Sequence, residues 1–300
     1  MPFKHVALLG LGLIASSISL ALRRNSPDTK ITGFSRSEKT RRKAEEIGLC
    51  QVCQSVSGCV SGADLVILCV PVGAMRETMK IAAPHISKGA VVTDVGSVKV
   101  NVIRAVSSII PKGVFFVPAH PIAGTENSGP EAGFSTLFEG RWCILTPTTQ
   151  SSIAAIRDVK KFWQSLGAEV QEMAANHHDL VLSVTSHAPH LIAFTMVGVA
   201  DEFSKVTKSE VINYSAAGFR DFTRLAASDP IMWRDIFINN KDAALEILGR
   251  FTEELFILQS AIRRQDAEFL QKYFERTRKI RRSIIEAGQD TSEPDFGRKG

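Results

Sequence analysis

The chain opens on a short apolar run, Val6 to Leu9, that passes through Gly10-Leu11-Gly12 into a stretch whose apolar positions recur at helical spacing and end at Arg23-Arg24. A change of period from two to about 3.6 across a glycine turn predicts a strand, a tight turn and a helix. The alternation continues. Lys30 to Ser35 reads as a second strand, and Glu38 to Ile47 as an amphipathic helix ended by Gly48. Asp64 to Val70 is an unbroken apolar run of the kind a strand buried on both faces needs. Ala90 to Val95 and Val114 to Pro118 repeat it, with helices expected over Ala74 to Ala83 and Lys99 to Ile109. Arg141 to Leu145, a helix over Ser152 to Leu166, and Ala168 to Glu172 are expected to complete the same sheet. From His177 onward the strand signals stop. Helices are expected over Asp179 to Phe203, Pro230 to Asn239, Lys241 to Arg264 and Ala267 to Ala287. Asp229 caps the second of these ahead of Pro230, and Gly288 closes the last. The polar tail from Gln289 to Gly300 is expected to be disordered. The pattern predicts an α/β domain with a doubly wound, mostly parallel sheet over residues 1–174, then an all-helical domain over 175–288 that closes a substrate cleft and dimerises.

The opening turn carries chemistry. Gly10 permits a tight turn, Gly12 lets a pyrophosphate approach the backbone, and the small Ala15 allows the helix to pack on the strand. Leu13 and Ile14 begin that helix, whose free N–H groups suit an anion. Val6 to Leu22 carries no charge, but it is too short and too rich in glycine and serine for a membrane span, and Arg23-Arg24 follows it in place of a cleavage site. No other window reads as a span, so a soluble cytoplasmic protein is expected. Composition agrees with a globular enzyme: 300 residues, 44% hydrophobic and 22% charged. The net charge of +5 is modest, and its basic cluster at Arg276, Arg278, Lys279, Arg281 and Arg282 comes without the aromatic platform a nucleic-acid surface uses. Cysteines 50, 53, 59, 69 and 143 form neither a disulfide framework nor a paired zinc motif, and reduced, mostly buried thiols are expected.

Ligands of open parallel sheets sit beyond the carboxyl ends of the strands. Val70 and Pro71 fall there, as does Asp94-Val95-Gly96-Ser97, as does Ala119 to Gly124 with the following Thr125, Glu126 and Ser128. His120 stands out among the seven histidines because it follows a strand and precedes Pro121, which restricts it to extended backbone. That position suits a general base. His187 and His190 lie one turn apart, but no third ligand accompanies them and no metal is expected. Arg224 either pairs with Asp221 on a helix surface or offers its fork to a substrate carboxylate. At the end of the second strand, where an acidic residue would hold the ribose of NAD, the chain has Ser35-Arg36-Ser37. These residues suit a 2′-phosphate, so NADP is expected as the preferred cofactor, with NAD possible.

Taken together, GLGLIASS, DVGSVK, AHPIAGTENSG, SHAPHLIAF and GFRDFTRLAASDPIMWRDIF resemble the prephenate and arogenate dehydrogenases of tyrosine biosynthesis, cyclohexadienyl dehydrogenases included, from Phe3 to about Gly288. Ala15 stands where that family often has glycine. The resemblance implies a Rossmann domain, a helical domain forming a homodimer, and oxidative decarboxylation giving 4-hydroxyphenylpyruvate or tyrosine. It implies His120 on the ring C4 hydroxyl with Ser97 beside it, His190 lining the pocket, Arg224 on the side-chain carboxylate and Trp233 as a pocket wall. It further implies that Glu126 and Arg220 pair as a gate. Other readings are another two-domain NAD(P) dehydrogenase or imine reductase on a small carboxylate, a nonenzymatic dinucleotide-binding redox sensor, and a basic interaction protein.

Overall fold

The computed structural model describes residues 1–213 and 217–286. Its first half alternates as the apolar runs require: β1 (His5–Leu9), α1 (Leu13–Asn25), β2 (Lys30–Phe34), α2 (Glu38–Glu46), β3 (Gln51–Val52), α3 (Val56–Val60), β4 (Leu65–Leu68), α4 (Val72–Ala82), β5 (Val91–Asp94), α5 (Val100–Ser107) and β6 (Phe115–Val117). The six strands form one parallel sheet in the order β3-β2-β1-β4-β5-β6. The order reverses beside β1, which places the ligand crevice at the turn between β1 and α1. Every residue of β1, β4 and β5 is buried, because helices cover both faces. On one face Leu8, Ile18 and Leu65 meet Phe162 and Trp163; on the other Leu9, Val66 and Val92 meet Met75 and Phe116. β3 and α3 are too short to leave a periodic signal and went unread in the sequence.

One expectation is corrected here. The strands after β6 do not complete this sheet. β7 (Ala119–Pro121), β8 (Trp142–Leu145) and β9 (Glu169–Glu172) form a second sheet, with β7 antiparallel to β8 and α6 (Ile153–Ser165) between β8 and β9. Pro118 causes the break: it has no N–H for the first ladder, and its carbonyl accepts from Thr146 N at the end of β8. His120 therefore lies in a strand, opposite Ile144, where a loop had been expected.

The helical half consists of α7 (Ala175–Leu182), a π turn (Ser183–His187), α8 (Ala188–Asn213), α9 (Ala217–Thr223), α10 (Pro230–Asn239), α11 (Lys241–Arg263) and α12 (Ala267–Glu286). The expected 179–203 helix thus starts four residues early and carries a π turn. The stretch Ala175–Glu202 is also long and apolar enough, by length and composition, to cross a membrane, contrary to the expectation that no such window follows the first. In this structure it delivers histidines to the interior of the fold. Asp229 Oδ1 accepts from Ile231 N and Met232 N at 2.8 Å, so Pro230 starts α10 as the sequence requires. Gly288 and the tail after it lie outside the described residues.

By packing, the chain separates into two compact units, Met1–Ala244 and Leu245–Gly300. The first extends well past residue 174 because Trp233 and Ile236 of α10 enter the core beside Val92 and Phe116. In the second, α12 follows α11 through a turn in which Gln265 has a positive φ of 55° and Asp266 caps α12 by accepting from Phe269 N at 3.1 Å.

Candidate active site

Five helices follow strands of the parallel sheet, and four of their first turns are already supplied with an oxygen. Ser37 Oγ accepts from Thr40 N at the start of α2, and Ser55 Oγ from Gly58 N at the start of α3. The Asp179 carboxylate accepts from Lys99 N and Val100 N, at 2.7 and 2.9 Å, at the start of α5. Asp235 lays its carboxylate over Gly73 in the first turn of α4, close enough that a Cβ there would meet Oδ2 at 2.7 Å. α1 has no capping side chain and no acid in its first turn, and no such oxygen from another element is seen over it among the described residues. Its N-terminus remains open to an anion.

The turn before α1 fits a dinucleotide. Gly10 has φ +103°, and a Cβ on it would fall 2.5 Å from the Cys69 carbonyl oxygen, so only glycine is accommodated. A Cβ on Gly12 would meet nothing within 4 Å, which leaves free space in front of the helix. That space opens into a cavity of about 540 Å³ whose end nearest α1 is lined by Gly12, Leu13, Ile14, Val70 and Pro71. Ser35, Arg36 and Ser37 are not on its wall. Ser37 caps α2, Arg36 is exposed, and Arg41, which sequence reasoning passed over, donates to the carbonyls of Ser35 and Arg36 at 2.6 and 3.1 Å across the Phe34 ring.

At the far end the cavity gathers Ser97, His120, Thr125, Glu126, His190, Arg224 and Trp233. His120 is 7% exposed, and a chain of hydrogen bonds fixes its tautomer. The Asp179 carboxylate can only accept, so His178 Nδ1 donates to it at 2.8 Å. His178 Nε2 is then the lone-pair nitrogen, and His120 Nδ1 donates to it at 2.9 Å. His120 Nε2 is left unprotonated. Burial, with the His178 and Lys99 charges adding to it, holds the His120 imidazole well below its ordinary value. Burial also lowers His178, against the opposing pull of Asp179. Sequence reasoning missed this relay. It began the helix at Asp179, which left His178 outside any element.

The other side of the cavity is aromatic and charged. His190 stacks on Trp233 with centroids 3.7 Å apart, and its Nδ1 donates to the Ser186 carbonyl at 2.8 Å. Its pKa is lowered by burial, with Arg224 acting in the same direction. Arg224 pairs with Glu126 at 3.0 Å and both remain partly exposed. One expectation is corrected by that pair. Arg224 reaches across the cavity mouth to Glu126, and Arg220, which is exposed and off the cavity wall, is not the partner of Glu126. Ser97 lines the cavity, but the Nδ1 of His120 is held by His178. His187 sits one turn from His190 with its Nδ1 on Asn240 at 3.1 Å, and burial pushes it down to about 4. Among the described residues no group of three or more His, Cys, Asp or Glu is arranged around a metal site. The five cysteines are free; Cys59 and Cys143 are buried and the other three half-buried.

Residues 18–172 match the model of the prephenate dehydrogenase nucleotide-binding domain, and residues 174–276 that of the prephenate dehydrogenase dimerization domain. The chain belongs to the prephenate dehydrogenase family. Relatives in it include the cyclohexadienyl dehydrogenase of Zymomonas mobilis, 40% identical over 94% of this chain and 96% of that protein. The prephenate dehydrogenase of Bacillus subtilis is 34% identical over 92% of this chain and 75% of its own length. Among solved structures, the prephenate dehydrogenase of Aquifex aeolicus, in complex with hydroxyphenyl propionate and NAD+, superimposes with a TM-score of 0.87 at 35% identity, covering 94% of this chain and 98% of that one. The arogenate dehydrogenase of Synechocystis gives 0.77 at 26% identity, over 93% and 99% of the two chains. The family accounts for the architecture: a parallel Rossmann-type sheet followed by helices.

Proposed function

We propose that this protein is an NAD(P)-dependent dehydrogenase that oxidatively decarboxylates prephenate, arogenate or both, giving 4-hydroxyphenylpyruvate or tyrosine. The observation that carries this reading is the relay that leaves His120 Nε2 unprotonated inside a cavity whose opposite end is the uncapped start of α1. A nicotinamide bound there, in front of Gly12 and the start of α1, would supply the hydride acceptor. His120 Nε2 takes the proton of the C4 hydroxyl as hydride leaves C4, and the ring carboxylate departs as carbon dioxide as the ring becomes aromatic. Ser97 contacts the same hydroxyl. Arg224 holds the side-chain carboxylate once Glu126 releases it, so Glu126 is the gate. The His190–Trp233 stack and Thr125 bound the ring, and water is kept from the reacting carbon by the buried wall behind His120.

The same reading keeps residues 1–174 as the cofactor part and 175–288 as the helical part that pairs two copies. Exposed Met196, Val197 and Val199 on α8 and Phe256 on α11 support a homodimer. A cytoplasmic location follows from the biosynthetic role. For the cofactor, the preference for NADP rests on Arg36 and on Arg41, whose guanidinium is tethered at the end of β2 with no carboxylate in Ser35-Arg36-Ser37 to repel a 2′-phosphate. Absorbance at 340 nm on adding prephenate or arogenate to each cofactor tests the proposal. Absence of reduction with every combination refutes the enzyme reading, and a higher kcat/KM with NAD refutes the NADP preference.

A further inference from the structure

Lys99 and Asp94 are fully buried, pair through Nζ and Oδ2, and do not line the cavity. A buried ion pair is poor value as a stabiliser, since apolar residues of similar volume often do as well. Its surroundings give it another role. Lys99 Nζ also donates to the Ala119 carbonyl at 2.7 Å, and Asp94 Oδ1 accepts from Ala119 N at 3.2 Å. Asp94 Oδ2 is fixed in turn by Gly96 N at 2.9 Å. Both polar backbone groups of residue 119 are thus gripped at the point where the chain leaves one sheet for the other, immediately before His120.

We propose that the Lys99–Asp94 pair is a positioning device for His120: it clamps the backbone one residue before the imidazole and keeps a fixed positive charge beside the ring, so that the ring stays in its proton-accepting form. This rests on the reading of His120 as the base. His178 from α7, His187 from the π turn and Lys99 ahead of α5 act on His120, the backbone of His120 meets Cys143 of β8, and Asp179 of α7 and Asp94 of β5 act on His178. Lys99 is the cation among them, and its charge acts in the same direction as burial on both His120 and His178.

The test is the pH profile of kcat in four proteins at saturating substrate and cofactor, with cofactor affinity followed separately by fluorescence. In the parent, kcat falls on the acid side as His120 is protonated, and His120→Asn lacks that limb. Lys99→Met leaves Asp94 uncompensated and moves the limb upward by about 1 unit. Asp94→Asn combined with Lys99→Met removes both charges, so the limb moves upward by less than in Lys99→Met while kcat drops at every pH because the clamp is gone. Cofactor affinity is unchanged in this double variant. An unmoved limb in Lys99→Met, or a double variant with parental kcat, overturns the proposal. Should Lys99→Met not fold, the double variant decides by itself: parental kcat refutes the clamp, and an unmoved limb refutes the role of the charge. A parent without an acid limb, or a His120→Asn variant that retains one, overturns the base reading instead, and the positioning role falls with it.

Discussion

Asp179 serves two structures with one carboxylate: Oδ1 orients His178, and both oxygens close the first turn of α5. The relay and the helix are therefore coupled, and a substitution at Asp179 would disturb both. His120 offers a cleaner probe. His120→Asn keeps a donor toward His178 and is expected to fold and bind cofactor while losing roughly 10²–10⁴ in kcat, the usual contribution of a positioned base. Near-parental kcat would remove His120 from the chemistry. Arg224→Ala is expected to raise KM with a smaller change in kcat, because the carboxylate proposed as its ligand would be remote from the breaking bonds and bound alike in ground and transition states. The loss should be about 1.5–3 kcal/mol, as for a charge-assisted pair. If KM is unchanged, the Arg224–Glu126 pair is a surface contact only.

At the scale of elements, α4 and α10 show how the cavity wall is joined to the parallel sheet. α4 has no capping side chain of its own, and Asp235 from α10 sits against Gly73, with Arg234 on its other oxygen at 2.7 Å. Trp233, two residues before Asp235, enters the core and carries the His190 stack. Replacing a helical glycine by alanine ordinarily stabilises by about 1 kcal/mol. Gly249→Ala in α11, with open space around its Cβ, should behave that way. Gly73→Ala is expected to do the opposite, since the new methyl displaces the carboxylate; denaturant midpoints measured side by side will show it. An equal gain at both positions would mean that Asp235 moves aside freely.

For the whole molecule, the buried histidines set how stability responds to acid. His5, His120, His178, His187 and His190 are all lowered, chiefly by burial, and His187 to about 4. Below the unfolded value of about 6.5 the unfolded chain binds protons that the folded chain refuses, so stability falls as pH drops from there toward about 4. Thermal melts between pH 7.5 and 4.5 should show Tm declining across that interval, starting near about 6.5. A Tm that is flat through it would mean that these rings are protonated in the folded state.

What the sequence determined by itself is what depends on near neighbours: the glycine turn with its change of period, the alternation of buried strands and helices, and the Asp229-Pro230 start of α10. Each is enforced by backbone sterics, periodic burial or a cap within three residues, and so leaves a local trace. Candidate residues of the site were legible for a similar reason, since strand ends in an open sheet mark the crevice. The arrangement within it was not. His120 meets His178 across 58 residues, Lys99 N meets Asp179 across 80, and Arg224 meets Glu126 across 98. Such pairings obey no period. The departure of β7 into a second sheet likewise waits on Thr146 to take the Pro118 carbonyl. The tertiary structure alone decided which histidine nitrogen bears the proton and which arginine faces Glu126, because hydrogen-bond geometry between distant segments exists only once the chain has folded.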